Sequence, residues 1–149
     1  MDIIFPENLL PREILPKIIP FLEPENIILL TGARQTGKTS LLYLLIRRLL
    51  NNDTPPSQIV YFDLENIYDF SLLQKLKDFN EFWQILKDRG VDPQKKVFVF
   101  IDEVQHLDNP SSFLKYLHAH YKPGLKFIVS SVCINLPGVL LCISEKPIF

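Results

Sequence analysis

Glycine, cysteine and an excess of either charge are all scarce in this chain of 149 residues, and each scarcity removes a class of explanation. Sixteen Lys and Arg against 17 Asp and Glu leave a net charge of −1, so no overall field draws the chain to nucleic acid or to an anionic membrane. The two cysteines, Cys133 and Cys142, have no second pair and no histidine cluster beside them, which argues against a disulfide framework and against a zinc site. Repeats, low-complexity tracts and long charge blocks are missing. Apolar runs such as Leu41 to Ile46 fall far short of a membrane span, and the N-terminal MDIIFPEN is acidic where a secretory leader is basic. The expectation is a cytoplasmic protein with no membrane partner.

What is present is a composition with 47% hydrophobic residues, enough for one domain with a core. The 12 prolines outnumber the 5 glycines. Five of the prolines (Pro6, Pro11, Pro16, Pro20 and Pro24) precede residue 25, so residues 1–25 read as an entry segment with short helical turns such as Glu13 to Ile19. Ile27 to Thr31 is a short apolar run, as expected of a strand buried on both faces. Lys38 to Leu50 is apolar all round except at Arg47 and Arg48, which predicts a largely buried helix. Gln58 to Leu64 reads as a second strand. Leucines and aromatics at three- and four-residue spacing predict one helix over residues 68–89, with Phe79, Phe82 and Trp83 in the core, ending at Gly90. Val97 to Ile101 is a third strand. Asn109-Pro110-Ser111 caps a helix to about Tyr121, and Leu125 to Ser130 makes a fourth strand. Val139 to Ile143 is a candidate fifth. Alternating strands and helices with fully apolar strands imply an α/β sandwich of three layers around a mainly parallel sheet of four to five strands.

Two of the five glycines, Gly32 and Gly37, frame the string Gly32-Ala33-Arg34-Gln35-Thr36-Gly37-Lys38-Thr39, followed by Ser40. It satisfies G-x-x-x-x-G-K-[ST] between a buried strand and a helix, the context in which backbone N–H groups surround phosphates at a positive helix N-terminus. Chance spelling of this string arises in roughly one of a thousand shuffled chains of this composition. Lys38 is expected to reach the β and γ phosphates, and Thr39 to place its hydroxyl on Mg²⁺. Val97 to Ile101 delivers Asp102 and Glu103 to the carboxyl edge of the sheet, where open α/β sheets bind ligands. Asp102 is expected to hold Mg²⁺, and Glu103 to orient and polarise an attacking water. With neither an N-K-x-D guanine motif nor a G-x-G-x-x-G fingerprint, ATP is favoured over GTP or a dinucleotide. His106, Asp63 and Glu65 lie near these acids and read as solvated loop and strand-end groups.

Ile28 to Leu42 (ILLTGARQTGKTSLL), Phe98 to Gln105 (FVFIDEVQ) and Lys126 to Ser131 (KFIVSS) together resemble a prokaryotic AAA-type ATPase family with P-loop, GARQxGKT and DE-x-Q motifs. The resemblance covers about residues 10–131. It implies that Gly32 to Thr39 bind ATP, that Asp102 and Glu103 serve Mg²⁺ and water, and that Ser130 or Ser131 stands near a polar sensor position beside the γ-phosphate. It also implies a homo-oligomer or a protein partner. Residues 26–131 are then the ATPase core. Residues 132–149 depart from the family: Gly138 is followed by Val139, and no arginine follows Arg89, so this tail reads as a truncated or altered end. Mg·ATP binding with hydrolysis is the leading expectation. A nucleotide-binding or interaction module without turnover, or an inactive gene fragment, stays open beside it.

Overall fold

A computed structural model describes residues 5, 13–22, 27–32, 37–120, 124–132 and 141–144. Among these residues five strands, β1 (Ile28–Thr31), β2 (Ile59–Asp63), β3 (Val97–Asp102), β4 (Leu125–Ser131) and β5 (Leu141–Ser144), form one sheet in the order β2-β3-β4-β1-β5. Every pairing is parallel. The helices are α1 (Leu15–Ile18), α2 (Lys38–Asn51), α3 (Ile67–Gln74), α4 (Phe79–Asp88) and α5 (Pro110–Ala119).

Strand periodicity divides the core in two. Ile28, Leu30, Phe98, Phe100 and Ile128 face α1 and α2, packing with Ile18, Leu41, Leu45 and Leu49. Leu29, Val60, Phe62, Val99, Ile101 and Val129 face the other way, onto Leu73, Phe82, Leu86, Leu114 and Leu117 of α3, α4 and α5. Both sheet faces are thus covered, which is why the central strands can be apolar without alternation. The expected three-layer sandwich is the observed one. The chain moves in one direction across the sheet from β1 through α2 to β2, then returns through β3 and β4 with its helices on the opposite face. Such a reversal leaves a crevice at the carboxyl ends of the strands.

Among the described residues before β1, Pro16 and Pro20 accompany only short helical pieces, the four residues of α1 and a 3₁₀ turn, Ile19–Leu22. Ile18 and Leu22 are buried against α2. Asn109 caps α5 as its sequence suggests, its side chain accepting from the Ser112 N–H at 3.1 Å. The single helix expected over residues 68–89 is instead two helices, α3 and α4. The break has a local cause: Asp78 caps α4 by accepting from the Glu81 N–H at 2.9 Å, while Glu81 accepts from the Lys77 N–H at 2.9 Å. An acid followed three residues later by Glu is the signature of a helix start, worth about 1 kcal/mol, and here it overrides a continuous apolar stripe. Phe79 and Phe82 are buried, with Trp83 packed against them, as expected of core residues. Among the described residues no helix is long and apolar enough to cross a membrane.

Candidate functional site

Side chains from the start of α2, from β2 and from the end of β4 converge on one carboxylate at the end of β3. Gly37 adopts φ 91, a left-handed turn that leads straight into α2, where its carbonyl accepts from the Leu41 N–H at 3.0 Å. A side chain at this angle is strained, so the second glycine of the motif has a conformational reason. Lys38 is buried (4% exposed), and its Nζ donates to the Gly32 carbonyl at 3.0 Å, joining the two ends of the loop. Ala33, Arg34, Gln35 and Thr36 lie outside the described residues. Thr39 and Ser40 follow in the first turn of α2, both half-buried.

Thr39 and Asp102, 63 positions apart in sequence, meet across the crevice: the Thr39 hydroxyl donates to Asp102 Oδ2 at 2.8 Å. Asp102 is 2% exposed. Its position two residues beyond Phe100 aims it at the α2 face of the sheet. Ser130 lies on that face of β4 and donates to the other oxygen, Asp102 Oδ1. Ser131 points to the opposite face, where its Oγ is buried without a hydrogen-bond partner among the described residues. Of the two serines considered for the sensor position, Ser130 alone reaches the carboxylate.

Glu103 follows with φ 62, one of two non-glycine residues with positive φ among those described. This turn sets its carboxylate apart from that of Asp102, and its backbone N–H donates to Ser130 Oγ at 2.9 Å. Holding a glutamate in this region costs on the order of 1 kcal/mol. Gln105 Nε2 donates to Glu103 Oε2, while Gln105 Oε1 accepts from the Val132 N–H at 3.3 Å. The fourth member of the D-E-x-Q string therefore ties Glu103 to the end of β4, a role the sequence leaves without explanation. His106 Nε2 is 4.0 Å from Glu65 Oε1 on the exposed rim, where His106, Glu65 and Glu103 bring ligand atoms within 4.8 Å of one another.

Tyr61 of β2 is the contact that sequence reading misses. Its hydroxyl donates to Asp102 Oδ2 at 2.8 Å, its ring stacks on Tyr43 of α2 with centroids 5.4 Å apart, and its carbonyl accepts from Arg89 at 3.2 Å. Burial first, and then the Asp102 charge, hold its phenol protonated far above the ordinary tyrosine range. The signal available in sequence is its place two residues before Asp63, on the α2 face; which strand lies beside β2 is not legible there.

Asp63 pairs in register with Asp102. Its carboxyl is pushed above the usual range, by burial first and then by the charges of Asp102, Asp69 and Glu103, against a lowering by the Glu65 N–H. The folded chain thus holds this proton more tightly than the unfolded chain. The cost of ionising it is absent below the unfolded carboxylate pKa of about 3.9, and stability falls as pH rises from there through the raised folded value. Asp63→Asn is therefore expected to raise the thermal unfolding midpoint modestly at pH 7, with the gain closing as pH falls toward about 4. Thermal unfolding of both proteins at the two pH values measures this. A gain equal at both would assign the effect to something other than charge.

The oxygen donors of Thr39 and Asp102, 2.8 Å apart, are the ligand type a hard divalent cation takes, and the buried ammonium of Lys38 stands at the same helix start. The sequence profile described as AAA domain matches residues 24–136. A Haemophilus influenzae protein described as uncharacterized is 24% identical over 111 residues, 74% of this chain, which spans 27% of that protein's length. Similar solved structures include C. elegans PCH-2 (TM-score 0.59, 19% identity, 89% of this chain and 40% of that one). The Aeropyrum pernix ORC1 protein in complex with DNA gives 0.57, 15%, 91% and 44% in the same terms. Replication initiator DnaA bound to AMPPCP and single-stranded DNA gives 0.55, 18%, 90% and 44%. At these identities the structures bear on fold alone, and this chain spans less than half of each.

Proposed function

Because the chain belongs to the AAA domain family, whose profile covers 24–136 of its 149 residues, we propose that it binds ATP with Mg²⁺ at the α2 start and hydrolyses it to ADP and phosphate. The observation that carries this reading is the meeting of Thr39 with Asp102 at 2.8 Å beside the buried Lys38. A phosphate-binding loop, an oxygen donor pair and a second, separately directed carboxylate are the parts that phosphoanhydride hydrolysis requires.

In this reading the N–H groups at the start of α2 and the Lys38 ammonium hold the phosphates, and the loop from Gly32 to Thr39 wraps them. Thr39 and Asp102 would hold Mg²⁺, which neutralises phosphate charge when bound. Ser130 keeps the Asp102 carboxylate oriented and stands beside the γ-phosphate. Glu103 accepts a proton from the water that attacks the γ-phosphorus in line, and the bond from phosphorus to the β,γ-bridging oxygen breaks. Gln105 fixes the Glu103 carboxylate for that task. A second copy of the chain or another protein is the proposed partner, on family grounds.

Equilibrium binding of ATP, ADP and GTP with Mg²⁺, alongside phosphate release, tests the proposal. ATP and ADP are expected to bind with phosphate released from ATP. Binding without release selects a nucleotide-dependent module with no turnover, and no binding overturns the reading.

A further inference from the structure

The Asp102 carboxylate takes three hydroxyl donors: Ser130 on Oδ1, and both Thr39 and Tyr61 on Oδ2. A carboxylate ligating a metal through one lone pair works best when its remaining lone pairs are held by fixed donors, since free rotation about the Cβ–Cγ bond costs binding entropy. Ser130 and Tyr61 lie on the strands flanking β3 and grip opposite oxygens. Thr39 is different in kind, because it comes from the start of α2 and, in the reading above, would itself hold the cation together with Asp102.

Tyr61 is itself well anchored. Its ring stacks on Tyr43 at 5.4 Å with 29° between planes, and Tyr43 in turn meets Phe5 edge-on at 6.0 Å. Its main chain is braced by Arg89, which donates to the Tyr61 carbonyl at 3.2 Å and to Asp69 Oδ1 at 3.1 Å, and which lies 4.3 Å over the Phe62 ring. Asp69 also accepts from the Asp63 N–H at 3.0 Å. The sheet-edge strand β2 is thereby pinned where Tyr61 leaves it.

We propose that Tyr61 is a positioning residue for the cation: with Ser130 it locks the Asp102 carboxylate in rotation, so that the Oδ2 lone pair facing Thr39 is the one presented to Mg²⁺. This rests on the Mg·ATP reading above. Tyr61 touches neither nucleotide nor metal in this scheme and acts through Asp102 alone.

The test is the ratio of ATP dissociation constants in EDTA and in saturating Mg²⁺, measured on the whole chain. Tyr61→Phe keeps the ring against Tyr43 and removes only the hydroxyl. It is expected to leave ATP affinity in EDTA unchanged and to shrink the Mg²⁺-dependent tightening about tenfold, in the range of lost supports to metal ligands. Asp102→Asn is the reference and is expected to abolish the tightening. A Tyr61→Phe ratio equal to that of the parent, with Asp102→Asn lost, overturns the role of Tyr61 and leaves the Mg·ATP site standing. A ratio that Asp102→Asn also leaves intact removes the cation site itself. A merely structural role for the hydroxyl would weaken binding equally in EDTA and in Mg²⁺, and that outcome also overturns the proposal.

Discussion

Glu103→Gln is expected to lower ATP turnover by about a hundredfold or more while ATP affinity stays within about threefold, the span of a lost general base. The substitution keeps size and shape, so the left-handed turn at φ 62 and the bond from the Glu103 N–H to Ser130 Oγ persist. What it removes is the ability to accept a proton from water. Gln105 donates to the Glu103 carboxylate, and an amide oxygen at position 103 can still take that bond, so the change is confined to chemistry. Phosphate release and equilibrium ATP binding on the same preparation give both numbers. Unchanged turnover would move the proton-accepting role to another group, with Asp63, half-buried beside the site and already raised toward protonation, the next to examine.

Lys38→Ala is expected to act on binding instead, weakening ATP about a hundredfold, or ~3 kcal/mol, as befits the loss of a charge-assisted bond in a buried site. The 4% exposure of Lys38 means that water does not screen its ammonium, and its contact with the Gly32 carbonyl at 3.0 Å keeps it within the loop before nucleotide arrives. The same loss should appear in thermal unfolding. ATP at a hundred times its dissociation constant stabilises a folded protein by about 2.7 kcal/mol, and at that fixed concentration most of the shift disappears when affinity falls a hundredfold. A Lys38→Ala protein that unfolds as the parent does without nucleotide, yet is stabilised by ATP to the same extent, would remove Lys38 from the site.

The two proposed variants touch residues that the sequence makes visible, for a physical reason. A phosphate loop needs glycines, a lysine and a hydroxyl at set spacings, so Gly37, Lys38 and Thr39 announce themselves, and an apolar strand that ends in two acids announces Asp102 and Glu103. Fully apolar strands likewise made the covered parallel sheet legible. Tyr61 was not legible as a neighbour of Asp102, and Gln105 was legible only as a motif letter without a role. An aromatic in a strand looks the same whether it faces a core or a carboxylate, and only the order β2-β3-β4-β1-β5 brings Tyr61 diagonally across from Asp102. The positive φ of Glu103 has no local signal either, since glutamate has no preference for it. The split between α3 and α4 was written in Asp78 and Glu81, but a stripe of leucines and aromatics spoke louder than the cap.

The position of β1 has a consequence for how the chain is made. Of the described strands β1 is synthesised first, yet it lies between β4 and β5, so that Leu29 finds Val129 across 100 positions of chain. Until residues near 125 leave the ribosome, the apolar strand Ile28–Thr31 has no native neighbour in the sheet, and α2 can shield only one of its faces. Contacts this distant in sequence form slowly and leave sticky surface waiting. A nascent chain halted before residue 125 therefore carries the whole of Gly32 to Thr39 and still lacks both strands that flank β1 in the sheet.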